Sequence, residues 1–289
     1  MRSDSASPLP HLGLAIQTPE VAIPVPVALL SGSLEEKLTK AKAWGADGIE
    51  LMTVDPASLD AQELRASLGR STLGVCAVAS GALAFAAGLT LLSAEPDRAR
   101  MGQSRLHDLI DLAAGLGAPL VTIGSFRGRL ASMAGDGRAS LIAILREAAE
   151  DAEGKGVRLV IEPLNRYETD LIHTADEGLR FLDELGHPAV GLLLDTYHMN
   201  IEESSWRAPL EQAMRARRLW HVHIGDNHRL APGRGMIPFQ RIVAILRELG
   251  YSRYLSAELL ARPDPDSAAR ETLQTMRAIL GQDCRSSAA

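Results

Sequence analysis

Eight short apolar segments, each followed by a longer helical pattern, are the feature of this 289-residue chain that most constrains its fold. The segments are Leu12–Gln17, Gly48–Met52, Leu73–Ser80, Leu120–Gly124, Arg158–Glu162, Gly191–Asp195, Leu219–Gly225 and Tyr254–Glu258. Most are apolar along their whole length rather than at alternate positions, which is typical of parallel strands covered on both faces. The pattern therefore predicts eight parallel β-strands that alternate with helices.

Helix boundary signals lie between the predicted strands. Ser33 with Glu36, and Thr174 with Glu177, have the spacing of a capping box, in which hydroxyl and carboxylate each bind a free N–H group of the first turn. A glycine also stands at the end of several helical patterns, where a left-handed residue often terminates a helix. These glycines are Gly45, Gly69, Gly117, Gly156, Gly186 and Gly250.

The number of units favours one closed domain. Eight β-then-α units suit an α/β fold of the (β/α)8 or TIM barrel type, which typically needs about 250 residues. The rival fold, an open doubly wound sheet, normally carries a glycine-rich phosphate loop after its first strand, and none follows Gln17. We therefore predict a single barrel over residues 11–281, with disordered ends at 1–10 and 282–289.

The composition argues against several classes of function. Thirty basic residues against 36 acidic ones give a net charge of −6, without the basic stripe of a nucleic-acid binder. Cys76 and Cys284 are too far apart in sequence to indicate a disulfide framework or structural zinc site, so a reducing compartment is expected. A signal peptide and an apolar run of about 18 residues are both missing, which predicts a cytoplasmic protein without a membrane partner.

Polar residues close the last four predicted strands. They are Glu162, Asp195, one of His221 and His223, and Glu258. Each alone could be a helix cap or a loop residue, but four in consecutive units would meet at the carboxyl-terminal rim of a barrel, where active sites lie. Three carboxylates there would repel one another without a cation, and oxygen-rich ligands suit Mn²⁺, Mg²⁺ or Co²⁺ better than structural zinc. The pattern therefore predicts one divalent metal site.

This constellation suits proton transfer beside a ketone. Epimerisation removes a proton from one face of a carbon and returns one to the other face, which requires two acid/base groups. Glu162 and Glu258, on the fifth and eighth strands, are the predicted catalytic pair. The same groups would also support aldose–ketose isomerisation, so the sequence leaves that alternative open.

Two further residues at strand ends have less specific interpretations. Arg127 follows the fourth strand, where its planar guanidinium could bind a substrate carboxylate; a solvated or loop-bracing arginine is the alternative. If it bound a carboxylate, its removal would harm turnover of a keto-acid more than that of a neutral ketose. Glu50 closes the second strand, and a structural role is favoured over one in orienting a ligand.

Three segments of the chain resemble the D-tagatose/D-psicose 3-epimerase group of xylose isomerase-like barrels. They are residues 161–168 (IEPLNRYE), 194–203 (LDTYHMNIEE) and 223–233 (HIGDNHRLAPG). Within that group, Ile123-Gly124, Arg127-Gly128-Arg129 and residues 88–91 (GLTL) most resemble the 5-keto-L-gluconate epimerases. Two positions depart from those enzymes. Ala82 follows Gly81 where a larger polar residue is expected, and residues 225–228 (GDNH) resemble the ketose 3-epimerases more.

The resemblance implies roles for individual residues. It implies a metal-dependent epimerase of a ketose or keto-sugar acid, such as 5-keto-L-gluconate, D-tagaturonate or D-tagatose, that works through a cis-enediolate. The implied metal ion is Mn²⁺, with Mg²⁺ or Co²⁺ as alternatives, and the implied assembly is a homodimer or homotetramer. The implied metal ligands are Glu162, Asp195, His223 and Glu258, and the implied substrate-binding residues are Glu168, His198 and Arg229.

Two other reactions are compatible with related barrels. A metal-dependent dehydratase or lyase acting on a keto-cyclitol or a dehydroshikimate-like substrate would share the enolisation step and add only a leaving hydroxyl. A phosphodiesterase resembling endonuclease IV would need three zinc ions and several more histidine ligands. The remaining histidines, among them His107 and His187, fall in helices or at helix ends, which disfavours that reading.

Overall fold

A computed structural model describes the backbone of residues 9–286 and the side chains of residues 9–281. Eight strands pair in parallel, each with its sequence neighbour, and β8 pairs with β1 to close the barrel. This confirms the predicted (β/α)8 fold. The strands are β1 (His11–Gln17), β2 (Gly48–Met52), β3 (Gly74–Ala79), β4 (Leu120–Ile123), β5 (Arg158–Ile161), β6 (Val190–Asp195), β7 (Leu219–Ile224) and β8 (Tyr254–Ala257).

Helices surround the barrel and pack their apolar faces on it. They are α1 (Leu34–Ala43), α2 (Ala61–Ser71), α3 (Gly81–Phe85), α4 (Pro96–Leu116), α5 (Gly137–Gly154), α6 (Ala175–Leu185), α7 (Thr196–Glu202), α8 (Arg207–Arg215), α9 (Phe239–Glu248) and α10 (Pro265–Ser286). Short 3₁₀ turns at Pro56–Ser58, Ser125–Arg127 and Leu130–Ser132 complete the described elements. Among the described residues, no helix is both long and apolar enough to cross a membrane.

The strand ends place the polar residues on one rim. Glu162 and Glu258 come directly after β5 and β8, whereas Asp195 is the last residue of β6. The register pairs Asp195 with His223, and His223 with Ser256 near the end of β8. Because all the strands are parallel, the four predicted metal ligands face the same carboxyl-terminal mouth.

The two predicted capping boxes differ in the structure. Ser33 and Glu36 form the full box: the Ser33 hydroxyl accepts from the Glu36 N–H, and the Glu36 carboxylate accepts from the Ser33 N–H at 2.7 Å. At α6 only half of the prediction is right. The Thr174 hydroxyl accepts from the Glu177 N–H, but the Glu177 carboxylate reaches one residue further back and accepts from the His173 N–H at 2.7 Å.

Five of the six predicted helix-ending glycines have positive φ, between 71° and 90°. The prediction for Gly69 is wrong, because α2 continues past it to Ser71. Thr72 then takes the left-handed C-cap conformation, with φ 59°. Gly69 is therefore an exposed helical residue, and a Cβ atom built on it would meet nothing within 4 Å.

The predicted disordered ends fall mostly outside the described residues. Residues 1–8 and 287–289 are not described, and β1 begins at His11, next to the predicted boundary. The backbone of α10 continues to Ser286, beyond the predicted end of the barrel domain.

We expect Gly69→Ala to raise the free energy of unfolding by about 0.5–1 kcal/mol, because alanine reduces the entropy of the unfolded chain without meeting a neighbour. The matched control is Gly186→Ala at the end of α6, where φ is 71° and a side chain is strained. That variant should lower stability. Urea denaturation measures both, and a destabilised Gly69→Ala protein would contradict this reading of α2.

Candidate active site

Four buried side chains meet at the mouth of the barrel: Glu162, Asp195, His223 and Glu258. One potential ligand atom from each lies within 4.8 Å of the others. His223 presents its Nδ1 atom to the group, 3.5 Å from Glu162 Oε1 and 3.6 Å from Glu258 Oε2. The structure thus brings together the four residues that the sequence proposed as metal ligands.

The backbone around Glu162 leaves room for its carboxylate. A Cβ atom on Gly124, at the end of β4, would lie only 2.5 Å from Glu162 Oε2. Any residue other than glycine would therefore displace this carboxylate. The Gly124 position noted in the sequence resemblance thus has a steric explanation.

Asp195 acts as a helix cap and faces the cluster at the same time. Its Oδ1 atom accepts from the Tyr197 N–H at 2.7 Å and caps α7. Its Oδ2 atom is buried and has no hydrogen-bond partner. Asp195 therefore caps α7 through one oxygen and leaves the other available to a cation.

Glu50 lies fully buried beneath the cluster and orients His223. It accepts from Nε2 of His221 at 2.9 Å and from Nε2 of His223 at 3.1 Å. Although burial opposes its charge, the two histidines hold the pKa of Glu50 far below its usual value. A protonated Nε2 on His223 leaves the Nδ1 lone pair for the cluster, the arrangement found when a carboxylate supports a metal-binding histidine.

The choice between His221 and His223 follows from this network. His223 faces the mouth, whereas His221 lies deeper, beside Glu50 and Cys76. These three deeper residues also come close enough to hold an ion, and His221 Nδ1 has no hydrogen-bond partner. The other two are already engaged, since Glu50 accepts from both histidines and the Cys76 thiol donates to the Ile49 carbonyl. Burial also raises the pKa of Cys76, which disfavours the thiolate that a metal would require.

The donor set at the mouth fits a divalent cation. Glu162 Oε1, Asp195 Oδ2 and His223 Nδ1 are buried without hydrogen-bond partners, although such atoms are normally paired. Burial, together with the charge of Glu162, raises the pKa of Asp195 to about 7, and burial also raises the pKa of Glu258. A cation among these atoms would satisfy all three and offset the repulsion of the carboxylates.

Asn165 organises the neighbouring substrate-binding candidates, although no pattern in the sequence distinguishes it from its neighbours. Its backbone N–H and its side-chain Nδ2 both lie near Nδ1 of His198, at 3.2 and 2.8 Å, and Nδ2 also donates to Glu168 at 2.9 Å. His198 Nδ1 is therefore the acceptor, and the proton resides on Nε2. Burial lowers the pKa of His198 to about 3, so this ring is a neutral donor.

The Nε2 atom of His198 points into the site. It is buried without a hydrogen-bond partner and lies 3.9 Å from Glu162 Oε1. An unpaired donor beside a carboxylate ligand can bind an oxygen atom of a substrate. Asn165 was identifiable only by its position in the IEPLNRYE segment, because its role depends on a contact with a residue 33 positions away.

Arg229 connects two carboxylates of the mouth. Its guanidinium donates to Glu258 at 2.9 Å and to Glu168 at 3.4 Å, and it lies 5.1 Å from the centre of the Tyr197 ring. Its backbone has a φ of 59°, which is unusual for a residue other than glycine. The three predicted substrate-binding residues, Glu168, His198 and Arg229, therefore surround the metal-ligand cluster.

Arg127 is placed differently. Its side chain is fully buried, and its two terminal nitrogens donate to the backbone carbonyls of Gly124, Glu162, Leu171 and Ile172. Burial lowers its pKa to about 10. This is the loop-bracing arrangement that the sequence left as an alternative to carboxylate binding, and it supports the backbone of Glu162 directly.

Comparison with known proteins gives the class. Residues 38–279 match the xylose isomerase-like TIM barrel family, and the chain belongs to that family. This confirms the resemblance to xylose isomerase-like barrels.

Individual relatives are epimerases. A ketose 3-epimerase of Arthrobacter globiformis is 32% identical over 215 residues, covering 73% of this chain and 72% of that protein. A 3-dehydro-D-guloside 4-epimerase of Escherichia coli (strain K12) is 30% identical over 264 residues, covering 86% and 96%. A D-allulose 3-epimerase from Methylomonas sp., solved in complex with D-allulose, has a TM-score of 0.74 and 25% identity, covering 94% and 99%. The chain is accordingly an isomerase of the carbohydrate epimerase class.

The position of Glu50 leads to a prediction about metal affinity. In Glu50→Gln the amide nitrogen would oppose one of the two histidine N–H groups, so His223 would lose its fixed orientation. We expect the affinity for Mn²⁺ to fall by about 10- to 100-fold, the usual effect of losing such a supporting residue.

Isothermal titration with Mn²⁺ measures this affinity in both proteins. The matched control is Glu20→Gln, since the Glu20 carboxylate binds the hydroxyls of Thr18 and Thr53 rather than a histidine. The control should bind Mn²⁺ as the wild type does. Unchanged affinity in Glu50→Gln would show that His223 does not need Glu50.

Proposed function

We propose that the protein is a divalent-metal-dependent epimerase that inverts the carbon next to the ketone of a neutral ketose. The observation that carries this proposal is the buried cluster of Glu162, Asp195, His223 and Glu258. Three of its ligand atoms have no other partner, and the substrate-binding candidates surround it. The 3-epimerase relatives support the choice of C3.

The metal would be held by Glu162, Asp195, His223 and Glu258, with Glu50 supporting His223. When bound, a divalent ion such as Mn²⁺ supplies Lewis acidity that makes a proton next to a ketone easier to remove. Oxygen-rich ligands with one imidazole suit Mn²⁺, Mg²⁺ and Co²⁺ alike, so these ions would compete for the one site.

Glu162 and Glu258 would exchange the proton. They follow β5 and β8, which β6 and β7 separate around the rim. One carboxylate would remove the proton from its face of the substrate, and the other would return a proton to the opposite face. Two glutamates are needed because a single base would return the proton to the face from which it came and restore the starting configuration.

The neighbouring donors would stabilise the charge that develops on the substrate oxygens. His198 is neutral and its Nε2–H has no other partner, so it can donate a hydrogen bond to a substrate oxygen. Arg229 keeps its charge and holds the carboxylate of Glu258. Preorganised donors of this kind favour the transition state over the ground state.

The state of the arginines supports a neutral substrate rather than a keto-acid. A carboxylate is bound best by two parallel N–H groups of one guanidinium. The terminal nitrogens of Arg127 already serve four carbonyls, and those of Arg229 already pair with Glu168 and Glu258. The 5-keto-gluconate and tagaturonate substrates implied by part of the sequence are therefore less favoured than free ketoses.

The reaction class is tested by proton exchange in D₂O followed by NMR. The Mn²⁺-loaded protein would be offered D-fructose, D-tagatose, L-ribulose, 5-keto-gluconate, D-tagaturonate and a 3-keto-glucoside, with and without EDTA. We expect deuterium at C3 of a ketose together with the appearance of its epimer, both lost with EDTA. Exchange at C4 of the 3-keto-glucoside would indicate a 4-epimerase instead, and water loss with an ultraviolet-absorbing product would indicate a dehydratase.

We expect Glu162→Gln and Glu258→Gln each to lower kcat by about 10²- to 10⁴-fold, since each amide removes one of the two proton-transfer groups. Each variant should still exchange deuterium into one of the two epimers, because one base remains. Metal content must be measured on the same samples, since glutamine retains only one ligand oxygen. Near-wild-type epimerisation by either metal-loaded variant would overturn the two-base mechanism.

Arg127 provides a separate test of substrate charge. If it braces the loop, Arg127→Ala should lower kcat/KM for a neutral ketose and for a keto-acid by the same factor, and the neutral ketose should remain the better substrate. Steady-state kinetics on D-tagatose and D-tagaturonate measure both values. A loss confined to the keto-acid would restore the carboxylate-binding role that the sequence predicted.

A further inference from the structure

The loop after β7, residues 225–237, is built around the carboxylate of Asp226. This side chain is fully buried, yet no cationic partner is among the contacts described for it. Instead, Oδ1 accepts from the N–H groups of Asn227 and Ile237, at 2.8 and 3.1 Å, and Oδ2 accepts from those of Gly233 and Gly235, at 3.0 and 2.8 Å. Four backbone dipoles thus compensate one buried charge.

The glycines of the PGRG segment make this cradle possible. A Cβ atom on Gly235 would lie 2.4 Å from Asp226 Oδ1 and 2.0 Å from Asn227 Oδ1, so no side chain fits there. Gly233 has a φ of 93°, which other residues rarely adopt. These glycines are not among the proposed metal-binding or substrate-binding residues, but the loop cannot close around Asp226 without them.

Backbone hydrogen bonds of Asp226 and Leu260 confine the backbone of Arg229, beside the cradle. Arg229 N–H donates to the Asp226 carbonyl at 2.7 Å, and Asp226 N–H donates to the Leu230 carbonyl at 2.8 Å. On the other side, the Arg229 carbonyl accepts from Leu260 N–H at 2.7 Å. These bonds hold Arg229 at a φ of 59°, a conformation that persists at functional sites only when the surroundings enforce it.

We propose that Asp226 is a positioning residue that holds the strained Arg229 so that its guanidinium meets Glu258. This inference rests on the proposed function, because it assigns Arg229 a role beside the reacting carbon. Asp226 itself lies under the loop and touches neither Glu258 nor the metal-ligand atoms through any described contact. Its effect on turnover therefore passes through Arg229.

A double-mutant cycle tests this dependence. We expect Asp226→Asn to lower kcat/KM by about 10- to 100-fold in the wild type and by less than about twofold in an Arg229→Ala background, because coupled residues are not additive. A purely structural role would lower kcat/KM by the same factor in both backgrounds, which would overturn the inference. The matched control is Asn227→Ala, which removes the acceptor of the Met236 N–H from the same loop and should change kcat/KM only slightly.

A second perturbation and a measurement on the wild type keep the test decisive if Asp226→Asn does not fold. In Gly235→Ala the added methyl group would collide with the same carboxylate, so this variant should reproduce the coupling to Arg229. In the unaltered protein, the amides of Gly233, Gly235 and Ile237 should exchange with D₂O about 100-fold more slowly than unprotected loop amides. Fast exchange of these amides would show that the cradle does not form in solution, and this result does not depend on measuring enzyme activity.

The outcomes also separate this inference from the proposed function. An Arg229→Ala enzyme with wild-type epimerase activity would overturn the proposed role of Arg229 and with it the inference. Additive losses in the cycle, with Arg229→Ala impaired, would overturn only the role of Asp226.

Discussion

The crowding of three buried carboxylates at one end of the barrel is the constraint to which the rest of the site responds. Glu162, Asp195 and Glu258 come within reach of one another because parallel strands end on a common rim. In a region of low dielectric constant such a group is costly, as the raised pKa of Asp195 indicates. The imidazole of His223 and the guanidinium of Arg229 offset part of this cost, and the proposed divalent cation would offset the rest.

Around the cluster, supporting residues orient the side chains that are proposed to bind the metal and the substrate. Glu50 determines which nitrogen of His223 faces the mouth, and Asn165 does the same for His198. Arg127 holds the carbonyl of Glu162, and Asp226 holds the backbone that carries Arg229. Each support is buried, so each hydrogen bond acts without competition from water and its loss leaves an unpaired group. The precision of the site therefore depends on polar residues that do not belong to the metal-ligand set.

Much of the fold and the cluster was predictable because the relevant signals are local. Apolar runs of strand length identify strands that are buried on both faces, and a carboxylate just after such a run must lie near the rim. The helix signals were less reliable where one position could serve two purposes. Gly69 was predicted to end α2, but Thr72 adopts the left-handed conformation at the end of that helix instead. The Glu177 carboxylate was predicted to accept from the Thr174 N–H, but it accepts from the His173 N–H.

The sequence by itself determined the eight-unit barrel, the four residues that close its last strands and, by resemblance, the class of enzyme. Only the tertiary structure placed His223 rather than His221 in the cluster at the mouth, assigned Arg127 to four carbonyls, and revealed the contacts of Asn165 and Asp226. The reason is that the local hydrophobic pattern indicates where a strand ends, whereas the hydrogen-bond partners of a side chain come from distant segments of the chain. Glu50 and His221 are 171 residues apart in sequence, and only closure of the barrel brings them to 2.9 Å.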